Sequence, residues 1–248
     1  MNVSEFAISQ NRAASRADST IANQRSQAQN FMRWCDGEGV SYLPASPAIV
    51  ERYLLWLAEE RHRSVSTITC ALWAVNRMHK ESSLPEPGQH LDVQTAMAGI
   101  RRRFGAPPRQ KRPLTIVELG KFEYDAGLDG LRDRAAVLVG SAACLRIAEL
   151  CNLRRADVRT SRYGVQVFIR HSKTDRYGVG HWVDVPRSSH HPECCPVAAL
   201  EAWLATGDPQ TWLFPLLAPE AFWTRQATRH YFDGLIKALV TRAGLDPR

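Results

Sequence analysis

No run in the chain approaches the roughly 20 apolar residues that a helix needs to span a bilayer. The opening stretch, MNVSEFAISQNRAASRADST, also lacks an apolar signal-peptide core. Both absences argue against a membrane-spanning or secreted chain and predict a cytoplasmic one. Paired cysteine spacing is missing too. Cys35, Cys70, Cys144, Cys151, Cys194 and Cys195 lie mostly inside helical patterns, as reduced thiols do. The one cluster of metal-ligand types is HHPECC, with His190, His191, Cys194 and Cys195. Four ligands packed into six residues do not match the two-plus-two spacing of a zinc site, and Pro192 and Pro196 stiffen the segment. It reads as a loop leading into a helix, with no metal. Internal repeats and low-complexity tracts are absent.

What is present is bulk and positive charge. The 248 residues are 44% hydrophobic, enough for one large domain or two ordinary ones. A formal net charge of +7 favours an anionic partner, nucleic acid or an acidic membrane surface, without choosing between them.

Residues 1–17 are polar and unpatterned and read as a flexible arm. Four helical segments follow. The first spans about Thr20 to Gly37, capped by Ser19 or Thr20, with Ile21, Ala28, Phe31, Met32 and Trp34 as apolar bulk. In the second, Ser46 caps and Pro47 takes the first helical position. Ile49, Tyr53, Trp56 and Leu57 then make the buried stripe. The third, STITCALWAVNRMHK, has Ile68, Leu72 and Val75 on one face; the fourth is LDVQTAMAGIRRRF. Residues 18–104 thus form a helical domain.

The stretch 101–113 has Arg101, Arg102, Arg103, Arg109, Lys111 and Arg112, and not one acid. Pro107, Pro108 and Pro113 interrupt regular structure there. Residues 105–113 therefore read as a basic linker, either solvated or lying on phosphate. Residues 114–248 make a second, mixed unit. Thr115 and Glu118 have capping-box spacing. Helices follow over about Leu131 to Cys144 and Ile147 to Leu153. Then the period changes to two. Val165, Val167 and Ile169 form one face of a β-hairpin, Trp182, Val183 and Val185 return, and Lys173 sits at the tip. CPVAALEAWLAT and TRQATRHYFDGLIKALVTRAGL resume helix. The fold class expected is mainly α, with a small β-hairpin or sheet in the second unit.

Arg146 stands where an apolar helix should finish in the core, and an unpaired buried charge is costly. Glu149, three residues on, shares its helix face and either orients the guanidinium or makes an ordinary structural ion pair with it. Lys173 follows on the hairpin. An arginine fork clamps two phosphate oxygens, and a lysine adds a point charge and a transferable proton.

CLRIAELCNLRRADV resembles the first conserved box of the tyrosine recombinases, the phage-integrase family, with Arg146, Glu149, Leu150, Leu153 and Asp157 at the matching positions. LTIVEL resembles the opening of the family's catalytic domain, SKTDRYG its lysine hairpin, and CPVAALEAWL a helix that follows it. The four-helix unit looks like the family's core-binding domain. The resemblance implies double-stranded DNA as partner, other recombinase protomers in a tetramer on DNA, a nucleoid-associated location, and no cofactor or metal. It implies strand exchange through a 3′-phosphotyrosyl intermediate. Arg146 would bind the scissile phosphate, Glu149 would be its acidic partner, and Lys173 would protonate the leaving oxygen.

The match has a limit. The family's second box, His-x-x-Arg, its later His or Trp and its nucleophilic tyrosine find no counterpart. Tyr42, Tyr53, Tyr124, Tyr163, Tyr177 and Tyr231 all lie upstream of where that box would stand, and Tyr231 sits in an apolar helical pattern. The expectation is a truncated, incomplete catalytic domain, inactive alone, with Phe232, Leu235, Ile236 and Leu239 short of cover. Two competing readings are a non-catalytic DNA-binding accessory or competitor protein and a helical interaction protein with incidental charge.

Overall fold

Ser46 accepts a hydrogen bond from the Ile49 N–H at 3.4 Å and Pro47 opens the helix behind it, so this start follows the sequence signals directly. Ser64 repeats the device for the next helix, accepting from Thr67 N–H. The computed structural model describes residues 17–107, 110, 112–175, 177–207, 211–217 and 225–246, and the chain divides into two units between Arg109 and Gln110. The arm over residues 1–16, and Arg109 and Lys111 of the basic stretch, lie outside the described residues.

The first unit holds α1 (Asp18–Glu38), α2 (Pro47–Glu59), α3 (Val65–Glu81) and α4 (Leu91–Phe104). Ala17, not Ser19 or Thr20, takes the cap position of α1, and it brings no side-chain hydrogen bond. Gly39 closes the same helix at φ 65°, a left-handed turn that a Cβ would strain. Helix α1 packs on α3, and α2 on α4. The buried stripe of α2 is rotated from the expected one. Val50, Tyr53, Leu54, Leu57 and Ala58 are buried, while Ile49 and Trp56 are only half-buried. The reason is that α2 is covered from more than one side, so a single i, i+4, i+7 line does not describe its contacts. On α3, Leu72 gives way likewise to Ala71 and Ala74, small residues that allow close helix approach. Phe31, Trp34, Tyr53 and Trp56 form one aromatic cluster, with centroids 4.9–6.4 Å apart. His79 is buried between elements: it accepts from the Ala45 N–H at 2.9 Å, and its Nδ1 lies 2.8 Å from the Val75 carbonyl.

The second unit runs α5 (Ile116–Leu119), α6 (Gly127–Ala142), α7 (Ile147–Asn152), β1 (Val158–Ser161), β2 (Gly164–Ile169), β3 (His181–Pro186), α8 (Pro196–Leu204), β4 (Pro215–Leu216), β5 (Arg225–Gln226) and α9 (Arg229–Arg242). Thr115 and Glu118 make the reciprocal capping box at the start of α5. The expected hairpin is two-thirds of the sheet. Strand β1 adds an edge, giving an antiparallel order β1-β2-β3. Val165 and Val167 pair with Val185 and Val183 on the core side, while Phe168 pairs with Trp182 on the outer side. Of the three return-strand residues, Trp182 therefore lies on the side opposite Val183 and Val185. It packs on Phe168 at 5.1 Å and under the Arg159 guanidinium at 4.1 Å. Lys173 lies within the connection 170–180 between β2 and β3.

Helix α9 corrects another expectation. Phe232 and Leu239 are fully buried in the core, and Leu235 and Ile236 are partly buried against it. Sequence alone missed a polar clasp beside them. Arg132, 1% exposed, bonds Asp133 at 2.6 and 2.8 Å, Asp129 at 2.9 Å and the Pro215 carbonyl at 3.1 Å, and also meets the Tyr231 hydroxyl. The overall class is mainly helical with a small antiparallel sheet. Among the described residues, no helix is long and apolar enough to cross a membrane.

Candidate active site

The apolar helix α6 stops before Arg146. Cys144 takes φ 51°, the left-handed conformation that usually falls to Gly or Asn at a helix end. The Leu145 N–H turns back to the Gly140 carbonyl at 2.9 Å. This turn makes Arg146 the cap residue of α7 rather than a residue of its interior. Its side chain is 51% exposed, so the question raised by an arginine at the end of a core helix resolves toward the surface.

Glu149 is 8% exposed and devotes both carboxylate oxygens to Arg146. Oε2 accepts the Arg146 backbone N–H at 2.8 Å, and Oε1 accepts Nη1 at 2.7 Å. Arg146 and Glu149 therefore meet through a helix cap, not as neighbours along one helical face. Burial pushes the Glu149 carboxyl up, but the Arg146 backbone N–H, the Arg146 guanidinium and the Ser172 hydroxyl outweigh it and hold the group below the usual carboxylate range.

The same Arg146 Nη1 donates to Ser172 Oγ at 2.8 Å. Ser172 precedes Lys173, so the arginine turn and the lysine connection meet through a residue that sequence reasoning did not single out. Lys173 is exposed and makes no hydrogen bond or ion pair among the described residues. Asp157 is 1% exposed and anchors the root of that connection. It accepts the Arg154 N–H at 2.9 Å and pairs with Arg170, the residue after β2, at 2.5 and 3.1 Å. Arg170 is a further supporting residue the sequence did not announce; its signal, a basic residue ending a strand, is common.

In the basic stretch, Arg101, Arg102 and Arg103 are exposed on the last turn of α4. Arg103 pairs with Glu59 at 2.9 Å, whereas Arg101 and Arg102 make no ion pair among the described residues. Arg112 is taken up by Glu118. Of the HHPECC segment, Cys194 and Cys195 are buried and His191 pairs with Glu193 at 3.1 Å. Among the described residues, no group of three or more His, Cys, Asp or Glu side chains is arranged to hold a metal.

No tyrosine hydrogen-bonds to Arg146, Glu149 or Lys173 among the described residues. Tyr53 is fully buried. Tyr231 donates to Asp133 at 2.8 Å, and burial pushes its hydroxyl well above the ordinary phenol range.

An exposed arginine at a helix cap, with a buried acidic partner and a lysine-bearing strand connection beside it, offers hydrogen-bond donors and positive charge to an anion. Comparison with known proteins agrees with the class. The chain is 30% identical over 242 residues to an integrase/recombinase XerD homolog of Selenomonas ruminantium, covering 94% of this chain and 70% of that protein. It is 30% identical over 158 residues to the Cre recombinase of Escherichia phage P1, covering 60% of this chain and 46% of Cre. It is 27% identical to the tyrosine recombinase XerD of Xanthomonas axonopodis pv. citri, over 93% of this chain and 73% of the relative. A XerA recombinase crystal structure aligns over 96% of this chain and 75% of its own, with a TM-score of 0.39 and 20% identity. No family model matches. The chain belongs to the tyrosine recombinase family.

Proposed function

We propose that this chain binds duplex DNA and holds a scissile phosphate for strand exchange by the phosphotyrosyl route, with Arg146 and Lys173 on the phosphate and Glu149 steadying Arg146. One observation carries the reading. Both side-chain bonds of Arg146 leave from Nη1, so Nε and Nη2 remain unengaged among the described residues. A purely structural arginine would be saturated and buried, as Arg132 is. This guanidinium instead keeps half its fork for a bidentate acceptor. Arg101, Arg102 and Arg103, with Arg109, Lys111 and Arg112, supply phosphate contacts outside the site. Glu59 and Glu118 compete for Arg103 and Arg112, which makes Arg101 and Arg102 the stronger contributors.

The attacking tyrosine is not among the six tyrosines present, so these residues bind and position without forming a covalent link by themselves. Tyr231 supports this part: its hydroxyl is committed to the Asp133 clasp. Several protomers on one DNA are the working assembly, and transesterification conserves the phosphate-ester energy, so no nucleotide cofactor or metal enters.

Duplex binding followed by fluorescence anisotropy across a salt series tests this. Affinity should fall steeply with salt, and Arg101→Gln with Arg102→Gln should flatten the log–log slope by about 2. A nicked suicide duplex should give no detergent-resistant adduct with this chain. Absence of binding at low salt contradicts the proposal, and an adduct contradicts its covalent part.

A further inference from the structure

The connection that carries Lys173 is organised around one carboxylate. Asp175 Oδ1 accepts the backbone N–H groups of Tyr177 at 3.2 Å and Gly178 at 2.9 Å, and Oδ2 accepts that of Gly180 at 2.8 Å. The Asp175 N–H donates to the Ser172 carbonyl at 3.1 Å, closing a four-residue turn with Lys173 and Thr174 at its corners. Asp175 therefore holds both sides of the connection: the outgoing turn that begins at Ser172 and the incoming backbone that leads to β3. Gly178 and Gly180 sit at φ 66° and 70°, the left-handed bends that aim their N–H groups at this carboxylate. A Cβ on Gly180 would lie 2.5 Å from Phe168 Cζ and 2.8 Å from the Ile169 carbonyl, so the return path has little room to relax.

We infer that Asp175 is a positioning residue for the phosphate site, fixing Lys173 and Ser172 relative to Arg146 by gathering the backbone of their connection. The inference rests on the proposed role of Lys173 and Arg146. The chain of contacts is short. Asp175 sets the turn, the turn sets Ser172, and Ser172 Oγ receives the Arg146 guanidinium. Lys173 has no partner of its own among the described residues, so nothing except its backbone fixes where its ammonium starts. A four-carbon side chain on a loose loop loses more rotamer freedom on binding than one on a set turn. Asp175 makes no ion pair among the described residues. A carboxylate of that kind beside a phosphate site opposes binding by Coulomb repulsion, which makes its role separable by sign.

The test is a double-mutant cycle on duplex affinity at fixed low salt, using the full chain. Charge alone predicts that Asp175→Asn binds DNA more tightly. The inference predicts the opposite: a loss on the order of fivefold, close to that of Lys173→Ala and not added to it when both are combined. Gly180→Ala disturbs the same connection without changing charge and should give a loss that is likewise absent in the Lys173→Ala background. The salt-slope decrement from Arg101→Gln with Arg102→Gln should persist in every variant, which reports that the protein is folded and on DNA. Tighter binding by Asp175→Asn, or a loss fully additive with Lys173→Ala, overturns the inference while leaving the site reading intact. A Lys173→Ala variant that binds like the parent overturns the site reading and this inference with it. Should Asp175→Asn fail to fold, the Gly180→Ala arm decides by the same additivity criterion.

Discussion

Arg146 and Glu149 divide a single task between exposure and burial. The arginine is held at the surface because Cys144 turns the chain out of α6 before the cap. The glutamate is buried because both its oxygens are satisfied by that same arginine. The sequence spacing pointed to this pair but left open whether it was functional or structural, and it placed the two on a shared helix face. The cap geometry was not legible there, since nothing in the residue type of Cys144 announces a left-handed turn. Glu149 also gives a pH signature. A carboxyl depressed in the fold contributes stability that is fully present above its unfolded value, about 4.3, and is lost as pH falls through its lower folded value. Denaturant midpoints of the parent chain should therefore drop below about pH 4.3. Glu149→Gln should start lower at neutral pH and lose less over that window. Parallel pH profiles for the two proteins would show that Glu149 is not depressed.

At the scale of elements, alternation and capping signals carried most of the pattern. The period-two segment gave β2 and β3, and Thr115 with Glu118 gave the box at α5. What escaped was cooperative between elements. Strand β1 is four residues long, with three of them exposed, so no apolar alternation marks it. The sequence placed Trp182 on the return strand without giving it a face, and register sends it outward beside Phe168. The Arg132–Asp133–Tyr231 clasp joins α6 to α9 across nearly 100 residues, a distance over which no local pattern operates. Its energetics are those of a buried ion pair. Arg132→Met leaves Asp133 buried without its cation and should cost about 3–5 kcal/mol in urea unfolding. Adding Asp133→Asn should recover at least 1 kcal/mol of that by removing the stranded charge. A single-variant cost below about 1 kcal/mol would mean that the clasp is solvated in solution.

At the scale of the molecule, two units each keep their own core. One is built from Phe31, Tyr53, Ile68 and Ile100, the other from Val139, Leu200, Trp203 and Phe232. Composition made this division readable in outline, through a proline-rich basic stretch with helical patterns before it and mixed patterns after it. The basic, proline-bearing sequence 105–113 falls where the two units divide. Limited proteolysis should cut first within that stretch and leave two resistant pieces. A single protected fragment that spans it would count against an independent pair. Family membership is shown by similarity along most of the chain. The proposed phosphate site rests on a few side chains, Arg146 and Glu149 at the start of α7 and Ser172 and Lys173 in the β2–β3 connection, whose contacts no local pattern announced.

The most direct test of that assembly is the slope of log duplex affinity against log salt for the parent chain and for Arg146→Gln combined with Lys173→Gln. If both side chains grip phosphate, the double variant should lose about 2 units of slope, near 0.9 for each contact, with its thermal unfolding still cooperative. An unchanged slope in a folded double variant would show that Arg146 and Lys173 face solvent and that the phosphate site is misassigned.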